Sequence, residues 1–279
     1  MTTMDKLPTL FISHGSPMTA LDGREAGAYW QTLGRTIDER FGRPQAVLAV
    51  SAHSLTREPA LLAAPRHEAV YDFGGFDPQL YTLRYDAPGA PALADRVQAL
   101  LGAAGLPVQR MPEGGLDHGI WVPLRSMWPG ADVPVLPLAW PPNWAPAQLY
   151  RLGEALAPLA DEGVLVMGSG SITHNLRRVF AGGRLGREDA PPTPESSAFR
   201  AWFVDKAAAA DWGALFDYRA RAPFAALMHP SDEHLLPFYV AAGAAGAGAA
   251  GRRIHASLTF GDLGMDAYAF GPPGERLAA

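Results

Sequence analysis

The chain has 279 residues, of which 48% are hydrophobic and 18% charged, an ordinary globular balance over a length that buries a substantial core. Its formal net charge is -5, which gives no basic face for nucleic acid; the pairs Arg177–Arg178 and Arg252–Arg253 are not a polybasic run. No cysteine is present, so disulfides, thiolate catalysis and Cys-ligated zinc or iron–sulfur sites are excluded, and any metal must use nitrogen and oxygen ligands.

The opening MTTMDKLPTL lacks a charged region followed by a long apolar run, so it does not read as a signal peptide. No apolar stretch approaches a membrane span, and a cytoplasmic enzyme is expected. The short apolar runs 9–12, 46–51, 60–64, 133–138 and 164–168 are mostly bounded by Pro, Gly or Ser and read as buried strands. Helical patterns lie between several of them. One covers 26–40. Another, 91–101, opens on Pro91 and stops before Gly102. A third covers 146–159. Residues 182–194 read as an exposed loop and 195–210 as a helix. The low-complexity run 241–251 reads as a flexible connection to a last strand, 254–260. This alternation predicts an α/β fold in a single domain over 1–279. Its central sheet is mostly parallel or mixed, with helices on both faces.

LFISHGSP and VLAVSAHS both run from an apolar strand into a small residue and then a histidine. VLVMGSGSITH does so after a longer Gly/Ser turn. Ligands in open α/β sheets sit beyond the carboxyl ends of strands, so His14, His53 and His174 are delivered to the edge where a site forms. His118 lies in GLDHGIW, where Asp117 either orients it or caps a helix. His234 lies in HPSDEHLLP, with His229 and Glu233 beside it. Imidazoles suit Fe, Zn, Cu and Ni. There is no HExxH pair, GxSxG elbow, P-loop or Rossmann fingerprint. The aromatic and Gly-rich stretch 70–81 is either a cleft wall, with Tyr71 and Asp72 as pocket candidates, or a self-packed loop. Trp121, Trp140 and Trp144 read as packing residues.

In order, FISHGSPM, VSAHS, YDFGGF, LDHGIW, GSGSITHNLR and HPSDEHLLP resemble the class III (LigB-type) extradiol ring-cleavage dioxygenases, in particular their DOPA-dioxygenase-like branch. The resemblance implies a mononuclear metal in a cleft at the carboxyl ends of strands. It implies His14, His53 and His234 as metal ligands, His174 as the acid/base and His118 as a histidine of the substrate and O2 pocket. The wider superfamily completes its ligand set with a carboxylate; here Glu233 is the reserve candidate, and His229 ranks below His234.

The activity so implied is the opening of a small DOPA-like or caffeate-like catechol by O2, with one divalent metal per chain. Fe(2+) serves the dioxygenase reaction, and Zn(2+) is expected in the purified protein. Ser16, Tyr71, Asp72, Asn175 and Arg177 are the substrate-side candidates. No nucleic-acid or membrane partner is expected, and a homo-oligomer is compatible with the chain. The alternatives are a zinc-dependent hydrolase on the same scaffold, with His174 as general base, and a non-catalytic metal-binding relative.

Overall fold

Along the central strands, alternate side chains enter two different cores. Phe11, Leu48, Val50 and Val166 belong to one buried cluster. Leu10, Ile12, Val47, Ala49, Leu165 and Met167 belong to the other. Side chains of a strand alternate between its faces, so two apolar phases in one strand mean that both faces are covered. A computed structural model describes residues 6–181 and 186–278. Its main sheet has eight strands. They are β1 (Thr9–Ser13), β2 (Ala46–Ser51), β3 (Ala60–Leu62), β4 (Gln109–Met111), β5 (Val135–Ala139), β6 (Val164–Gly170), β7 (Gly251–His255) and β8 (Ala267–Phe270). Their spatial order is β4-β3-β5-β2-β6-β1-β8-β7.

The centre, β5-β2-β6-β1, is parallel. The flanks turn antiparallel where β3 meets β5 and where β8 meets β1 and β7. The sheet is therefore mixed around a parallel middle. Helices α1 (Arg24–Arg40) and α3 (His118–Met127) cover one face. Helices α2 (Pro91–Ala103), α4 (Pro146–Leu156), α5 (Pro194–Ala208) and α6 (Pro237–Ala244) cover the other. Trp121 and Trp140 are fully buried, as packing residues should be. Among the described residues, no helix is long and apolar enough to cross a membrane.

Two expectations need correction. The run 241–251 is not wholly a flexible connection, because Ala241–Ala244 form the buried end of α6. A Cβ on Gly243 would lie 2.0 Å from the Tyr150 carbonyl oxygen, and one on Gly153 would lie 2.2 Å from that of Val240. Small residues thus let α6 and α4 touch backbone to backbone. The expected last strand, 254–260, is instead the end of β7 and a separate short ribbon, Leu258–Thr259 with Leu263–Gly264. The strand that closes the sheet beside β1 is β8. Of the loop expected over 182–194, residues 182–185 lie outside the described residues, as do residues 1–5.

Candidate metal centre

Strands β2, β6 and β1 lie side by side and parallel, so their carboxyl ends open on one edge. Ser13 pairs with Gly170 and Ser51 with Ser169 at that edge. His14 is the next residue after β1, His53 follows β2 by two and His174 follows β6 by four. Gly15 turns the chain sharply at a φ of +69°. His234 arrives from the segment before α6. Its carbonyl accepts from Ser171 N at 2.8 Å. That approach requires a glycine beneath it, because a Cβ on Gly170 would lie 1.9 Å from the His234 oxygen.

His14, His53 and His234 each turn one ring nitrogen toward a common point, and these atoms all lie within 4.8 Å of one another. His14 Nε2 and His53 Nε2 are 3.1 Å apart. Each ring meets an acceptor on its outer side. His14 Nδ1 is 2.9 Å from Ser169 Oγ, and His234 Nδ1 is 3.2 Å from Glu233 Oε1. His53 Nδ1 is 3.6 Å from Asp72 Oδ2. The hydrogen-bonding partners of His14 and His234 fix ring orientation and leave the inner nitrogen as a lone-pair donor, while Asp72 lies just beyond hydrogen-bond reach of His53. Such a donor set fits a borderline divalent cation.

His118 starts α3 next to this trio, its ring centre 4.1 Å from that of His53. Asp72 accepts from its backbone N and faces its Nδ1 with both oxygens, all at 3.0 Å. His174 lies face to face on His234, with ring centres 3.5 Å apart and 8° between planes. His14, His118 and His234 are buried, whereas His53 and His174 are partly exposed and mark the open side.

Burial pushes the His14 imidazolium well below its ordinary range, and the surrounding imidazoles push it further. The same causes take His53 down to about 3 and His174 down to about 2. His234 is lowered by burial although Glu233 opposes it. The rings are therefore neutral at neutral pH, which is the form a metal binds. The His234 hydrogen bond holds Glu233 down at about 2. For Asp72 burial works upward, but the contacts to His118 and His53 outweigh it and its pKa falls.

These shifts predict an acid-labile metal-free protein. Unfolded histidines protonate near 6.5, while folded His53 stays neutral down to about pH 3 and the pKa values of His14, His174 and His234 are lowered as well. The unfolded state thus binds more protons as pH falls through this window, and stability drops by up to about 1.4 kcal/mol per pH unit for each ring that stays neutral. Urea unfolding midpoints at pH 7.5, 6 and 5 check this. An unchanged midpoint would mean that the folded rings titrate normally.

The other residues singled out in the sequence are placed as follows. Ser16 Oγ accepts from Met18 N at 3.3 Å and caps the turn Pro17–Ala20. Tyr71 donates to the Leu83 carbonyl at 2.6 Å and packs among Phe73, Tyr81 and Trp121. Phe73 reaches His118 edge-on at 5.7 Å, so the 70–81 stretch is both self-packed and a wall of the site. Asn175 donates to the Leu227 carbonyl at 2.6 Å and accepts from Arg177 N at 3.1 Å, so its amide is occupied by backbone. The Arg177 side chain is exposed on the short helix Leu176–Val179. His229 faces the Ile172 carbonyl at 2.7 Å through Nε2 and stands outside the convergent trio.

Asp117 neither orients His118 nor caps α3 with its side chain. It accepts from Ser51 Oγ at 2.7 Å and Ser54 Oγ at 2.6 Å, clamping the turn that carries His53. Ser51 Oγ also accepts from His53 N at 3.1 Å. The only signal in the sequence was the pair of serines flanking His53.

Comparisons with known proteins identify the family. The family described as the catalytic LigB subunit of aromatic ring-opening dioxygenase matches residues 8–271. A 4,5-DOPA dioxygenase extradiol from Beta vulgaris is 38% identical, over 94% of this chain and 96% of its own length. A protein of the same name from Escherichia coli K12 is 36% identical, over 86% of this chain and 85% of its own. Among solved structures, the crystal structure of an uncharacterized protein from Escherichia coli K12 superposes with a TM-score of 0.77 at 33% identity. That match covers 95% of this chain and all of the other.

Proposed function

Because the chain belongs to the LigB family of aromatic ring-opening dioxygenases, and is with them a metal-dependent extradiol ring-cleaving enzyme, we propose that His14, His53 and His234 hold its divalent metal and that its substrate is a small single-ring catechol. The convergence at one strand edge of three neutral imidazoles, each facing an acceptor on its outer side, carries the ligand assignment. Ferrous iron is the working metal in this reading, and zinc is the ion expected after purification. When bound, iron supplies the electron transfer between catecholate and O2. Three neutral ligands would leave a bound divalent ion its full charge, which suits a doubly deprotonated catecholate as its substrate.

The chain's own residues then bind the substrate and move protons. His174 stands on the open side beside the metal ligands, stacked on His234. From that position an imidazole can accept a proton from a catechol hydroxyl and return one when the ring opens. His234, stacked against it, fixes the plane in which it can do so. His118, with Nδ1 held by Asp72, keeps its other nitrogen for the substrate or O2. Phe73 and Tyr71 wall the aromatic side of the pocket. A cytoplasmic location, one catalytic domain over 1–279 and a capacity to form homo-oligomers belong to the same proposal.

The relatives' names point to DOPA-like substrates, and a caffeate-like acid has the same catechol ring and a carboxylate. Arg177 is the cation nearest in sequence to His174, and its guanidinium has no partner among the described residues. If it reads the carboxylate, Arg177→Ala raises KM about tenfold for caffeate and leaves 4-methylcatechol unchanged. Steady-state O2 uptake on both substrates decides. An equal loss on both would remove Arg177 from the site, and good turnover of a biphenyl diol would overturn the small pocket.

A further inference from the structure

Two of the three convergent histidines turn Nδ1 toward carboxylates, which only accept hydrogen bonds: His234 toward Glu233 at 3.2 Å and His53 toward Asp72 at 3.6 Å. His14 is braced by a hydroxyl, which can either donate or accept. The direction of that one bond therefore decides which nitrogen of His14 carries the proton.

The structure resolves the direction through helix α3. Pro123 stands inside this helix. Proline has no N–H, so the Gly119 carbonyl, four residues earlier, lacks its helical donor. Ser169 Oγ donates to that carbonyl. A carbonyl has no proton to give, so the single hydroxyl proton of Ser169 lies on this bond. Toward His14 Nδ1, 2.9 Å away, Ser169 is then an acceptor. His14 Nδ1 carries the ring proton and Nε2 keeps its lone pair. Ser169 and His14 are 0% and 2% exposed, so water offers no competing partner. Gly119 has no room for a side chain here, since a Cβ would lie 2.6 Å from Ser51 Oγ and 3.0 Å from His14 Nδ1.

The opposite tautomer would be harmful. It would place an N–H on His14 Nε2, 3.1 Å from His53 Nε2, in a good hydrogen bond between two groups that should both face the metal.

We propose that Ser169 is a positioning residue: held by the Gly119 carbonyl that Pro123 leaves free, it locks His14 as the Nδ1–H tautomer and aims an unprotonated Nε2 at the metal. The aiming role rests on the reading of His14 as a ligand; the tautomer does not. In metal-free wild-type protein, 15N–1H correlation of the histidine rings should show His14 protonated at Nδ1. Ser169→Ala should mix the tautomers and weaken zinc binding about 10- to 100-fold, measured by competition with a chelator. Ser169→Thr keeps the hydroxyl and should keep the wild-type tautomer. An Nε2–H tautomer in the wild-type protein overturns the proposal without any variant having to fold. Wild-type zinc affinity in folded Ser169→Ala overturns it as well. Wild-type zinc affinity in His14→Ala would instead remove the ligand reading, and the aiming role with it, while the tautomer measurement stands.

Discussion

His14→Ala, His53→Ala and His234→Ala are each expected to lose bound metal, with affinity falling by more than the 10- to 100-fold typical of outer-contact losses. His174→Ala is expected to keep the metal and lose turnover by about 10²- to 10⁴-fold, the usual worth of a positioned proton carrier. The difference follows from placement. The first three rings aim one nitrogen each at a common point and turn the other toward Ser169, Asp72 or Glu233. His174 lies on the face of His234 at the open side. Elemental analysis and O2 uptake on the four purified variants separate the two roles. Normal metal content in His234→Ala would move the third ligand to Glu233 or His229. Neither is well placed for that, because Glu233 braces His234 from outside and His229 faces the Ile172 carbonyl.

Stripped protein loaded anaerobically with Fe2+ is expected to consume O2 in step with added catechol and to give a yellow ring-opened product, whereas the same protein loaded with Zn2+ is expected to do neither. An all-nitrogen site does not select iron over zinc, because zinc ranks higher in intrinsic affinity for such ligands. Zinc has no accessible redox change, so it fills the site without supporting the reaction. The expected gap is the whole activity. Equal O2 uptake with both metals would sink the redox assignment, and zinc-dependent hydrolysis of an ester or amide would favour a hydrolase on this scaffold.

Much of this centre is legible in the sequence because its delivery is local. An apolar strand ending in a small residue and then histidine fixes where His14 and His53 emerge, whatever the rest of the chain does. What brackets those rings is not local. Asp72 reaches His118 and His53 only because the 70–77 loop folds back over α3. Ser169 meets Gly119 across 50 positions of sequence. Neither contact leaves a periodic or compositional trace. The sheet shows the same division. Its parallel middle follows from strand–helix alternation, whereas β8 is only four residues long and follows two aspartates within a Gly-rich turn. The run 241–251 was misleading because alanine and glycine suit a loose linker and a tight helix crossing equally well. The decision lies with Tyr150 and Gly153 on the facing helix.

The distances along the chain also set when the centre can come into being. His14 and His53 are 39 positions apart, and Ser169 stands 155 beyond His14; His234 follows later still. During synthesis the first two histidines are exposed long before β6 and the His234 segment exist to complete the cavity. The buried clusters on both sheet faces are large and apolar and can assemble without an ion. A metal can therefore enter a finished fold, unlike a zinc finger, in which it is needed for folding at all. Replacing one ion by another requires passage through the partly open side at His53 and His174, not unfolding of the chain.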